Sequence, residues 1–153
     1  MAENKLGKQT LVFTKRAVVL ETASIVGPKE GKGPLAEYFD LILKDDLMGE
    51  KSWEKAEQRM MVDTIRLALQ KAKLTEEQID YLLAGDLLNQ IITASFSARD
   101  LQIPFLGLYG ACSTIIEALA LGTVLIESGF GDLVVAASSS HNCTAERQYR
   151  APT

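Results

Sequence analysis

Cysteine is scarce in this chain: its 153 residues hold two, Cys112 and Cys143. Two cysteines make no spaced disulfide framework, and with the single histidine, His141, they offer no zinc-ligand set, so no metal cofactor is expected. Positive charge is not in excess either. The net charge is −4 and the isoelectric point is near 5.1. No basic stripe runs along any segment, so nucleic acid is not an expected partner. Long apolar runs are also missing. The longest is broken by Glu117 and Glu127, short of the roughly 18 residues of a spanning helix. The first ten residues have no apolar stretch of the kind a signal peptide needs. These absences predict an intracellular chain with no transmembrane helix and no signal peptide.

What is present is a domain's worth of apolar residues, 47% of the chain, enough for one core. The pattern turns on Gly110-Ala111-Cys112-Ser113-Thr114. The short apolar run before it, 103–109, reads as a strand. The Ala- and Leu-rich run after it, 115–127, reads as a buried helix, so that a charge at Leu121 would unfold the domain. Cys112 then sits where a strand becomes a helix. The helix dipole favours a thiolate there, and open α/β sheets bind ligands at such strand ends. A free cysteine is more commonly a small buried hydrophobe, and the motif alone does not separate the two roles.

Upstream, 9–13 and 17–22 read as a hairpin or two adjoining strands, 27–34 as a Gly/Pro/Lys loop and 35–47 as a short helix. Ser52 can cap a helix whose apolar stripe is Trp53, Ala56, Met60, Thr64 and Leu67, widened by Met61, Ile65, Ala68 and Ala72. Thr75-Glu76-Glu77-Gln78 is a capping box leading into the strand 81–85, which lacks polar alternation, as a strand covered on both faces should. A helix capped by Thr93 is expected over 93–101, and a further strand over 133–137. The tail 145–153 has no strong pattern.

Strands alternating with helices predict an α/β domain with a mostly parallel sheet that contains 17–22, 81–85, 104–109 and 133–137. Three of these strands end in polar clusters: Asp86, Asn89 and Gln90; Cys112, Ser113 and Thr114; and His141 with Asn142. Parallel strands end on one rim, so the clusters should share it and could line one pocket.

The segments 82–90, 110–114 and 139–148, supported by 27–30 and 33–35, resemble the stage V sporulation protein AD family of spore-forming bacteria over nearly the whole chain. The Cys112 turn alone is shared more widely, with thiolases and ketoacyl synthases. The resemblance implies a thiolase-like fold of two similar halves. Residues 1–153 would be the N-terminal half-domain, with the C-terminal half absent. It also implies a binding role: dipicolinic acid, with or without calcium, taken up into the developing spore by a membrane-associated complex. The protein would then lie inside the sporulating cell, peripheral to the spore inner membrane through its partners.

Expected ligand-binding residues are Asp86, Asn89, Gln90, Cys112, His141 and Asn142, with charge from Arg147 or Arg99. Asp86 would either meet a calcium that accompanies the ligand or fix the Cys112 turn by accepting backbone bonds. The alternative is a ketoacyl-synthase-like acyltransferase with Cys112 as nucleophile. In the enzyme relatives the counterpart of Cys112 is acylated and its basic partners come mostly from the second half, and His141 does not match them. The resemblance finally implies a homodimer through the uncharged edge strand Pro104–Tyr109.

Overall fold

The computed structural model describes residues 4–15 and 17–149, and of 147–149 the backbone alone. Its centre is a three-stranded parallel sheet flanked by helices on both faces. A short antiparallel hairpin, β1 (Lys5–Leu6) and β2 (Thr10–Leu11), and a parallel pair, β3 (Ile25–Val26) and β4 (Leu41–Ile42), come first. Then follow α1 (Trp53–Ala72), β5 (Tyr81–Gly85), α2 (Ile92–Leu101), β6 (Phe105–Gly107), α3 (Thr114–Ser128), β7 (Val134–Ser138) and α4 (Asn142–Tyr149). The sheet order is β6-β5-β7, every pair parallel, with Leu83 opposite both Leu106 and Ala136.

Local chemistry explains the boundaries. The Ser52 hydroxyl accepts the Lys55 N–H at 3.3 Å and starts α1, and Lys73, at φ 58°, ends it. Gln78 Oε1 accepts the Thr75 N–H at 2.8 Å, completing the expected capping box ahead of β5. β5 alternates across the sheet. Leu82 and Ala84 join Met61, Val62, Ile65 and Leu69 of α1 and Ala94, Ala98 and Leu101 of α2. Leu83 faces α3 and packs with Leu108 and Ala118. The buried stripe of α1 is Ala56, Glu57, Met61, Val62, Ile65 and Leu69, so Trp53, Met60, Thr64 and Leu67 lie beside it rather than on it.

Four expectations need correction. Residues 17–22 join no sheet: Val18, Val19 and Leu20 are exposed, and β propensity alone cannot make a strand without a partner edge. Residues 35–47 form a single 3-10 turn, 36–38, and β4 instead of a helix. The segment after His141 is α4, although 150–153 lie outside the described residues. The fourth concerns α3, which forms as expected but is not buried all round. Its stripe of small residues, Thr114, Ala118 and Gly122, is covered, while Ile116, Leu119, Leu121 and Val124 are exposed. A Cβ on Gly122 would already touch Val134 and Leu83, which shows how closely that stripe meets β5 and β7. The 18-residue helical stretch 111–128, with a mean hydropathy of 1.5, reaches the shortest spanning length. Its seat on β5 and β7 and its two glutamates describe the partly covered helix of an α/β layer equally well.

Candidate functional site

The rim where β5, β6 and β7 end carries all three predicted clusters, because the strands are parallel and adjacent. β5 stops at Gly85, which passes directly beneath the 108–114 turn: a Cβ there would collide with the Leu108 carbonyl and press on Thr114. After β6, Ala111 takes a left-handed conformation at φ 48° and leads into Cys112, which is exposed at the entry to α3. After β5, Gln90 and Ile91 are left-handed as well, at φ 62° and 47°. Left-handed backbone costs a non-glycine residue about 1–2 kcal/mol. Lys73 and Gln102 take it as ordinary helix C-caps and Met48 takes it in the loop before α1, whereas Gln90, Ile91 and Ala111 take it in the loops of the rim.

The predicted residues divide into two layers. Asn89, Gln90, Cys112 and Asn142 are exposed. Asp86 and His141 are buried, at 2% and 8% exposure, and their hydrogen bonds are structural. Asp86 accepts the Leu88 N–H through Oδ1 and the Ala94 N–H through Oδ2, both at 2.7 Å. It therefore caps α2 from upstream, the role expected of Thr93, whose hydroxyl is buried without a hydrogen-bond partner. Its bonds go to this loop and not to the Cys112 turn. Burial pushes the Asp86 carboxyl above the usual carboxylate range, against the backbone bonds that pull it down.

His141 acts as the N-cap of α4. Its Nδ1 accepts the Cys143 N–H at 3.3 Å, so the ring proton sits on Nε2 and is donated to the Asp46 carbonyl at 2.8 Å. With both nitrogens engaged, the imidazole is not poised as a base for Cys112. Arg99 lies in the last turn of α2, two turns from the rim, where its guanidinium pairs with Asp100 at 2.9 Å and stacks 4.9 Å from the Phe96 ring centre. The side chain of Arg147 lies outside the described residues.

Sequence reasoning missed Glu57. It stands on the buried stripe of α1 with 1% exposure. Ser139 donates to its Oε1 and Thr144 lies at its Oε2, each at 2.8 Å. Burial pushes its carboxyl up, and Asp86 adds to that. The two hydroxyls, and to a smaller extent His141, pull it down. The signal was available: a glutamate at i−4 from Met61 and i−8 from Ile65 is a charge on an apolar face. Among the described residues no three His, Cys, Asp or Glu side chains converge as a metal site.

Comparisons place this geometry among known proteins. The family model described as Stage V sporulation protein AD (SpoVAD) matches residues 7–153. Stage V sporulation protein AD of Bacillus subtilis (strain 168) is 50% identical over 147 residues, which make up 96% of this chain and 44% of that protein. The chain thus spans less than half the length of this relative. Among solved structures, the 3-oxoacyl-[acyl-carrier-protein] synthase III of Aquifex aeolicus VF5 matches with a TM-score of 0.53 at 23% identity, over 62% of this chain and 32% of its own. The priming β-ketosynthase of the R1128 polyketide pathway matches with a TM-score of 0.49 at 22% identity, over 61% and 28%. The synthase likeness shows the fold alone: the α/β layers around the Cys112 turn are part of a thiolase-like fold.

Proposed function

The chain belongs to the stage V sporulation protein AD family, and on that premise we propose that its strand-end rim binds dipicolinic acid, alone or with calcium, for uptake into the developing spore. The protein works in a membrane-associated complex, inside the sporulating cell and peripheral to the spore inner membrane through its partners. The observation that carries this reading is the strained rim itself. Gln90, Ile91 and Ala111 hold left-handed backbone beside the exposed groups of Asn89, Gln90, Cys112 and Asn142. Dipicolinate is a flat, rigid dianion with a ring nitrogen. Amide donors and the positive end of the 15-residue helix α3 suit it. Asp86 and His141 serve from beneath, by holding the two loops in place.

Titration calorimetry with dipicolinate, with and without calcium, tests this. Cys112→Ala should weaken binding by about tenfold while circular dichroism stays unchanged, since an exposed turn residue supports no core. Unchanged affinity would remove Cys112 from the site, and no binding to the parent chain would end the reading for these residues. One observation favours a second reading, acyl transfer: Cys112 is exposed at a helix entry on a fold shared with a 3-oxoacyl synthase. That reading requires turnover of an acyl thioester, with a base other than the engaged His141.

The same proposal includes a homodimer. β6 pairs with β5 on one side only, and among the described residues its outer edge has no strand partner. The strand is shorter than expected, Phe105–Gly107, with Leu106 and Tyr109 exposed and Leu108 turned into the core. A two-fold mate would satisfy that edge. Leu106→Lys should convert dimer to monomer in light scattering, and a parent that is already monomeric at high micromolar concentration would refute it.

A further inference from the structure

The run Ser138–Thr144 closes over α1 through a single buried carboxyl. Ser139 and Thr144 flank His141 and both reach Glu57, while the His141 ring reaches Asp46 in the loop before α1. Proton counting at Thr144 decides the chemistry. Its Oγ1 lies 2.8 Å from Glu57 Oε2 and 2.8 Å from the His141 carbonyl oxygen, and a hydroxyl has one proton to give. With Glu57 ionised, one of these contacts sets two acceptors against each other. With Glu57 protonated, its O–H donates to Thr144, Thr144 donates to the His141 carbonyl, and Ser139 donates to the remaining carboxyl oxygen. Every group is then satisfied, and no charge is buried.

We propose that Glu57 is a proton-operated latch: as a neutral acid it ties the Ser139–Thr144 segment to α1, and its ionisation loosens that segment from the helix. Asp86, at the end of β5, adds negative charge that opposes ionisation. His141 favours ionisation weakly, and its ring is held by the Cys143 N–H and the Asp46 carbonyl. On α2, Arg99 and Asp100 are exposed and paired with each other, and on α4 Glu146 is exposed. Burial raises the Glu57 carboxyl above the usual range, in the direction a stored acid requires. The latch does not depend on what the rim binds.

Amide hydrogen exchange on the 153-residue chain, corrected for intrinsic rates, tests the proposal. The reporter is the Ala145 N–H group, whose acceptor is the His141 carbonyl and not an ionisable ring. Its protection should fall by about tenfold between about pH 4 and about pH 8, while that of Leu82 in β5 holds. In Glu57→Gln the side-chain amide reproduces the neutral acid, accepting from Ser139 and donating to Thr144, so protection should stay high throughout. The carboxyl carbon of Glu57, followed by NMR in the parent, should titrate with the same midpoint as the loosening; this measurement stands even if the variant fails to fold. Flat protection in the parent, a pH dependence that survives in Glu57→Gln, or a carboxyl midpoint apart from the loosening would each overturn the latch.

Discussion

The two faces of the central sheet are finished differently. On one, α1 and α2 close over Leu82 and Ala84 and bury Met61, Val62, Ile65, Leu69 and Leu101. On the other, α3 meets Leu83 through Ala118 and Gly122 and turns Ile116, Leu119, Leu121 and Val124 outward. By composition the order would be reversed. Residues 114–128 carry two charges in fifteen, while α1 is studded with Glu, Lys and Arg. Burial follows the partner available and not the apolar content of the helix. A small-residue stripe lets α3 approach the sheet closely, but it leaves the bulky residues on the far side. The α1 face, by contrast, buries even a glutamate, because Ser139 and Thr144 supply its hydrogen bonds.

The comparison breaks most severely if Leu82 proves dispensable. It is fully buried between α1 and α2, in the central strand of the sheet. Leu82→Ala removes its transfer energy and leaves a cavity that a strand paired on both sides cannot collapse around. The expected loss is about 2–5 kcal/mol, measured by urea denaturation with the slope unchanged. A loss below about 1 kcal/mol would mean that the α1 face is no better packed than the α3 face.

The sequence carried the frame of this molecule further than its surfaces. β5, β6 and β7 and the helices between them were legible from apolar runs, from Ser52 and from the Thr75 box, because those signals are local. Parallel order then placed Asp86, Cys112 and His141 on one rim. What failed was not local. Whether 17–22 finds a neighbouring strand, and whether α3 is covered on its outer face, depend on partners that no window of the sequence contains. At the site, residue types were readable but burial was not. Asp86 and His141 had the donors and acceptors of ligand groups and are used as caps instead. Glu57 was hidden because the α1 stripe was drawn through apolar residues: Ala56, Met61 and Ile65 were on it, and the glutamate on the same face was left out.

Leu121 sits in the middle of α3 and is 40% exposed, at the flank of the covered stripe of Thr114, Ala118 and Gly122. Read as part of a buried helix, Leu121→Asp would place an unpaired charge in the core and unfold the domain. At that half-open flank, the same aspartate stays hydrated. It loses part of a leucine's contact area, a few tenths of a kcal/mol of helix propensity, and about 0.2–0.5 kcal/mol to Glu117 one turn earlier. The sum is about 1 kcal/mol, against the several expected at Leu82. Thermal unfolding of both variants at matched low protein concentration should show Leu82→Ala far below the parent and Leu121→Asp just beneath it. Repeating the Leu121→Asp scan at rising concentration makes the test stricter. If the outer face of α3 stays open to water, the small gap to the parent will not change. If the gap widens with concentration, a second copy covers that face in the parent, and the two sides of the sheet are closed after all, one within the chain and one between chains.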